Sequence, residues 1–346
     1  MAAASLPSAG MWRKRGGSGL TRRRPVLRFG HASGARPALD DWTRRLPALW
    51  IPITLFAALF QTWRTALQQR LRRELSVNAA GFVRYVYALP TGLVLLFGAH
   101  AFAGEELPSA NLAFLLDSAA AGLLQIIATV LLIMAFGYRS FAVGTAYSKT
   151  EAVQTALFAW LWLGEAISPV SLSGMLVGLS GVLTLSLAGR VKSGELLRAT
   201  FQPAALCGLG AGLCFAFTAI FIKEANRALP GDHLVLKALF ALVVTNAMQT
   251  VMQGGYLAWR EPEQLRAAFT SWRISGWVGT FSALGSACWF SAFAMAPVAL
   301  VRALGQVEMV FTLGFSRFYL KERVHRSEVL GLALVVAGVM LLLAGI

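Results

Sequence analysis

Residues 147–165 read YSKTEAVQTALFAWLWLGE, which sets a carboxylate, Glu151, among Ala, Leu, Phe, Val and Trp. An ionisable group at the centre of a bilayer costs roughly 2.5–3.5 kcal/mol even on the lenient insertion scale, so a sequence that keeps one has a partner or a wet path for it. Helical spacing puts Tyr147, Glu151, Gln154 and Thr155 on one face, because positions three and four apart are neighbours. Glu308 and Thr312 repeat the E-x-x-x-T pairing further along the chain. Four cations keep similar apolar company: Arg84, Lys237, Arg302, and Lys149 one helical step from the Glu151 face. Each glutamate could bind a cationic substrate, carry a coupled proton or anchor a gate by pairing with a cation. The alternative is a buried hydrogen bond holding helix to helix. Any of the cations could neutralise a carboxylate or hold an anionic metabolite. For Arg84, Lys237 and Arg302 the alternative is snorkelling to the interface, for which Lys149 lies too deep. If all four line one cavity, four positive charges against two glutamates favour an anionic or zwitterionic solute.

A very apolar chain has to position these groups. Of 346 residues, 57% are hydrophobic and 14% charged, and the mean hydropathy of +0.62 is that of a membrane protein rather than a soluble domain. A span needs about 20 apolar residues to cross roughly 30 Å of hydrocarbon. Windows of that kind fall at 46–67, 77–103, 112–136, 141–163 and 168–189, and again at 203–223, 233–258, 272–295, 298–319 and 327–346. Polar breaks such as GEELPSAN at 104–111 and REPEQLR at 260–266 separate them. Pro90 is expected to kink the second span. GLGAG at 208–212 and Gly174-x-x-x-Gly178 read as close helix packing.

The formal charge of +15 is concentrated in residues 1–45, where Arg13, Lys14, Arg15, Arg22, Arg23, Arg24, Arg28, Arg36, Arg44 and Arg45 face only Asp40 and Asp41. Such a Gly-, Ser- and Pro-rich segment is expected to be a disordered basic tail. Anionic lipid headgroups are its expected partner, with no nucleic acid; Met11 is an alternative start. Cys207, Cys214 and Cys288 have neither disulfide nor metal spacing. The four histidines assemble no H-E-x-x-H or Ser-His-Asp grouping and no Walker A motif occurs, so no metal and no cofactor is expected.

Sliding one half along the other gives a common offset of 157 positions. Glu151 then lies over Glu308, Thr155 over Thr312, Glu165 over Glu322, Gly174 over Gly331 and Gly181 over Gly338. Five spans per repeat is odd, so the halves must enter the membrane with opposite orientation, and a ligand site is expected at their interface near the midplane. Glu165 and Glu322 fall at helix ends and read as interfacial carboxylates capping the following helix. Gln61, Gln125, Asn246 and Gln306 read as interhelical glue or ligand contacts. Trp63, Trp160, Trp162, Trp289 and Tyr319 could line a cavity or form an interface belt.

The stretches AYSKTEAVQTALFAWLWLGEAISPVSLSGMLVGLSGVL and ALGQVEMVFTLGFSRFYLKERVHRSEVLGLALVVAGVM resemble the EamA domain of the drug/metabolite transporter superfamily. Its fourth helix carries a glutamate and ends in Gly-Glu, and Arg84 in GFVRYVYALP resembles the arginine opening its second helix. This chain has Ala152 and Met309 where proline often follows the glutamate, and Lys321-Glu322 in place of the second Gly-Glu. The resemblance covers 46–346. It implies an all-α polytopic membrane protein of ten transmembrane helices in two inverted five-helix repeats, 46–189 and 203–346, joined by a linker at 190–202. It also implies secondary transport of a small metabolite or drug, with a coupled proton or counter-substrate, and no enzymatic activity. A membrane-embedded enzyme or a non-transporting scaffold or sensor is the alternative. The expected protein is a monomer, with a dimer open, in a bacterial inner membrane with both termini cytoplasmic. The basic tail agrees with that orientation, whereas Arg70, Arg72, Arg190, Lys192 and other short-loop cations oppose the positive-inside tendency.

Overall fold

The computed structural model describes residues 49–72, 74–137, 147–187, 202–319 and 326–346. The basic tail, nearly all of the 190–202 linker, Glu322 and the side chain of Tyr319 lie outside the described residues. Regular structure among them is helical throughout: α1 (Trp50–Leu71), α2 (Val77–Val86), α3 (Ala88–Ala103), α4 (Leu112–Gly137), α5 (Glu151–Leu163), α6 (Pro169–Leu187), α7 (Pro203–Ala228), α8 (Leu234–Arg260), α9 (Pro262–Thr270), α10 (Trp272–Met295), α11 (Val298–Gly305), α12 (Glu308–Tyr319) and α13 (Arg326–Ala344).

Local chemistry sets these boundaries. Ser76 Oγ accepts from the Ala79 N–H at 3.2 Å and starts α2; Asn111 Oδ1 accepts from the Phe114 N–H at 2.9 Å and starts α4. Gly104 and Gly164 end α3 and α5 with φ of 65° and 67°, a left-handed conformation that costs a side-chain-bearing residue more. The 77–103 run divides at Tyr87, because Pro90 offers no N–H to the Val86 carbonyl. Five of the REPEQLR residues expected as a loop start α9 instead. Glu261 ties this end down, accepting from Ser76 Oγ at 2.5 Å and Asn78 Nδ2 at 2.7 Å.

The fourth and ninth sequence windows differ most from expectation. Each was read as one continuous helix, and each is interrupted: at Lys149–Thr150 before α5, and at Gln306–Val307 between α11 and α12. The interruptions fall at equivalent positions under the 157 offset. Backbone bonds there tighten from i→i−4 to i→i−3, with Thr150 N–H donating to Tyr147 O and Gln306 N–H to Ala303 O, both at 3.2 Å. The Thr150 hydroxyl adds a bond to Tyr147 O at 2.6 Å, in competition with the helical ladder. Short mid-helix turns of this kind mark hinges or strain. Glu151 and Glu308 are therefore the first residues of half-helices, not mid-helix groups.

Packing partners exchange between the halves. α1 lies against α10 as α4 lies against α7, and α5 lies against α7 as α12 lies against α1. Two equivalent pairs, α6 with α13 and α3 with α8, pack on each other. Gly174 sits at Gly338 and Leu342, whereas Gly181 sits at Gly331 and Val335, so α6 and α13 run antiparallel. The same holds for α2 and α3 against α8, where Gly81 of α2 meets Gln253 and Gly92 of α3 meets Leu242. Val94, Phe97, Leu116, Val251 and Met340 face outward. Among the described residues, five helices are long and apolar enough to cross a membrane, 77–103 counted as one, and 169–185 and 329–344 are shorter apolar helices.

The glycine seam gives a testable contrast. A Cβ on Gly181 would lie 2.6 Å from Val335 N and 2.7 Å from Gly331 O, whereas one on Gly255 meets nothing within 4 Å. Gly181→Ala should destabilise by about 1–3 kcal/mol through overpacking, and Gly255→Ala should stabilise by about 0.5–1 kcal/mol through backbone entropy. Unfolding in mixed micelles measures both; equal effects would contradict the antiparallel seam.

Candidate functional site

The two interruptions meet. Gln306 Nε2 reaches Lys149 O at 3.4 Å, which joins a residue to its own counterpart in the other half. Around this contact two ion pairs cross between the halves. Lys149 Nζ lies 2.8 Å from Glu308 Oε2, and Arg302 Nη1 lies 2.8 Å from Glu151 Oε1. Each glutamate begins a half-helix, where the N-terminal dipole also favours its charge.

Further groups lock this arrangement. Gln61 Nε2 donates to Glu308 Oε2 at 2.7 Å, and Trp289 Nε1 donates to Gln61 Oε1 at 3.1 Å. The Arg302 guanidinium lies 4.9 Å from the Trp289 ring centroid and 5.0 Å from that of Phe293, within cation–π range. Gly305 leaves room for the Trp289 indole, and Gly212 on α7 lets the first interruption approach, with Ser148 O 3.0 Å from where a Cβ would stand. Arg64 stands one turn along α1 from the Gln61 that holds Glu308.

Of the residues singled out from sequence, Glu151, Glu308, Lys149 and Arg302 come together. Arg84 is 4% exposed and its Nη1 donates to Thr129 Oγ1 on α4 at 3.1 Å, so it does not snorkel. Gln154 bonds to Thr150 Oγ1 inside the first interruption at 2.9 Å, and Thr155 is fully buried beside it on α5. Tyr147 supplies the carbonyl that the Thr150 hydroxyl binds. Thr312 is exposed and its hydroxyl returns to Glu308 O at 2.9 Å. Lys237 stands apart: its Nζ donates to Gly231 O at 3.2 Å near the start of α8. Among the aromatics, Trp289 is buried in the site while Trp160 and Trp162 face outward. Arg64 escaped the sequence reading because a lone arginine late in an apolar run has no pattern to mark it; its spacing of three from Gln61 was the available signal.

The same sequence pattern occurs twice in full. The profile of the EamA-like transporter family matches residues 48–187 and again 202–344. The chain belongs to the EamA-like transporter family. Its membership and its apolar helices make it an integral membrane protein of a transporter family. No curated protein matches the sequence. A solved crystal structure shares the fold, with a TM-score of 0.63 at 15% identity over 85% of this chain and 97% of that chain.

In this EamA chain a second polar cluster also joins the two halves. Glu165 pairs with Lys223 and lies 3.7 Å from Arg227, while its Oε2 accepts from the Val298 N–H at 2.9 Å. Lys223 Nζ also donates to Ala296 O at 2.9 Å. Glu165 thus caps α11, a helix of the other half, and not the helix that follows it.

Breaking one partner of a buried pair strands the other charge. Lys149→Met should therefore lower stability by about 3 kcal/mol, and Lys149→Met/Glu308→Gln should recover most of the loss. Melting in detergent checks this; a double variant whose loss equals the sum of the single losses would remove the coupling.

Proposed function

We propose that this EamA-family chain is a secondary transporter that moves a small organic solute by alternating access of two inverted five-span repeats. The observation that carries the proposal is the pair of ion bridges, Lys149–Glu308 and Glu151–Arg302, crossing between the halves where both equivalent helices are interrupted. Antiparallel packing of equivalent helices supports inverted repeats, and counting α2–α3 and α11–α12 as single spans and the nine-residue α9 as a connector gives ten.

In this scheme the interrupted helices are the moving parts and the glycine-faced α6–α13 pair is the pivot. A solute or proton that competes for Glu151 or Glu308 weakens a bridge between halves and frees one half to rock against the other. Lys149, Arg302 and Arg84 supply opposing charge at the centre, with Gln154, Thr155, Tyr147 and Thr312 along the adjoining half-helices. The Glu165 cluster also ties the two halves together in this conformation. One chain holds both halves, so a monomer suffices. The membrane is a bacterial inner membrane, with both termini cytoplasmic.

Reconstitution in liposomes tests the proposal. A compound that raises the melting temperature by mass action should cross faster than in protein-free vesicles, and Glu151→Gln should reduce uptake to the protein-free level. A cysteine at Gln61 in a cysteine-free background should react with impermeant maleimide from either side, depending on added solute. Reaction from one side only, with no compound crossing, would overturn alternating access.

A further inference from the structure

The charges at the centre do not balance. Glu308 and Glu151 match Lys149 and Arg302, whereas Arg64 and Arg84 form no ion pair within 4 Å among the described residues, and the Glu308 nearest Arg64 is already bridged by Lys149. A guanidinium carries five N–H donors and stays protonated in proteins. Of Arg84's donors one meets Thr129 Oγ1 at 3.1 Å, its Nε is buried without an acceptor, and its carbon lies 5.1 Å from the Tyr85 ring centroid. Arg64 Nε is likewise sealed from solvent with no acceptor.

Their placement rules out an easy escape to water. Arg64 lies seven residues before the end of α1 and Arg84 seven after the start of α2. At 1.5 Å per residue each is about 10 Å along its helix from the connecting turn. Gln68 Nε2 on α1 donates to Ala80 O on α2 at 2.6 Å, and Arg64 and Arg84 each lie four residues further from the connecting turn, so the two stand at one level, with Arg64 one turn from the Gln61 that holds Glu308. Arg84 is buried and Arg64 partly buried, and two like charges so placed with unused donors are costly unless an anion completes them. The planar fork of arginine fits the paired oxygens of a carboxylate or phosphate. Thr129, whose hydroxyl donates to Gln125 O at 2.8 Å, fixes the Arg84 end of such a site.

We infer that the solute is an organic anion whose carboxylate or phosphate group is held between Arg64 and Arg84, next to the Lys149–Glu308 bridge. This rests on the transporter reading, from which it takes the idea that the centre is a solute path. Two unmatched positive charges favour a divalent anion over a monovalent one. Glu308 and Lys149 then face the remainder of the solute. Because the site lies at the Gln61 end of the interruption contact, binding there joins α1, α2 and α4 of one half to α12 of the other.

The test uses the full chain in a non-ionic, phosphate-free detergent. Probes are succinate, glycerol 3-phosphate and inorganic phosphate as anions, putrescine as a cation, betaine as a zwitterion, and phosphatidylglycerol as a lipid source of the same phosphate chemistry. Melting temperature and calorimetric affinity are measured for the parent, Arg64→Gln, Arg84→Gln and Arg84→Lys. The expected result is that a soluble divalent anion stabilises the parent and loses about tenfold or more in affinity in either glutamine variant, the scale of one charge-assisted hydrogen bond. Without ligand the glutamine variants should melt no lower than the parent, since an unmatched charge has been removed; a purely structural arginine would make them melt lower. If a variant does not fold, Thr129→Val, which frees Arg84 without removing it, should weaken the same anion. Stabilisation by putrescine but no anion, an anion shift unchanged in the arginine variants, or a shift from phosphatidylglycerol alone would each overturn the inference. Uptake of putrescine in liposomes would do so while leaving the transporter reading standing. Anion binding with no uptake of any probe would uphold the site and sink transport.

Discussion

Charge in a region without water has to be answered by protein, and here the answer comes from the other half of the chain. Glu308 takes its cation from Lys149, and Glu151 from Arg302, so neither half is electrostatically complete alone. Local backbone follows the same constraint. By interrupting the helix just before each glutamate, the chain points a half-helix N-terminus at the carboxylate and adds its dipole to the cation's field. The Thr150 hydroxyl and the i→i−3 bonds keep the freed backbone groups satisfied within the bundle.

Two kinds of contact join the halves, and they differ in how readily they exchange. Along α6 and α13, backbone meets backbone at Gly174, Gly181, Gly331 and Gly338, and this leaves no slack for a second arrangement. At the centre the contacts are between long side chains, Lys149, Arg302, Gln61 and Gln306, which meet carboxylates and backbone of the other half. A fixed seam beside a polar, exchangeable one is the mechanical requirement for two bundles that rock on each other. The Glu165 cluster extends the same logic, since there a carboxylate from one half caps α11 of the other.

What the sequence determined by itself was whatever depends on composition and period. Ten apolar windows, the 157-residue register and the glutamate pair could all be read directly, because lipid demands long apolar runs and a duplicated fold repeats its exceptions. The Pro90 break was legible too, since a missing N–H acts wherever it occurs. Tertiary structure decided the rest. The fourth and ninth windows carry no proline, and Thr150 and Gly305, ordinary inside apolar helices, do not announce an interruption by themselves; the contact between the two tight turns joins them across the halves. Lys237 and Arg64 show the same limit: both are lone cations in apolar runs, yet one curls back to Gly231 at a helix start and the other stands one turn from the Gln61 that holds Glu308. Spacing along one helix says which side chains share a face, but which face meets which neighbour, and so which charges find partners, is fixed only when the two halves pack.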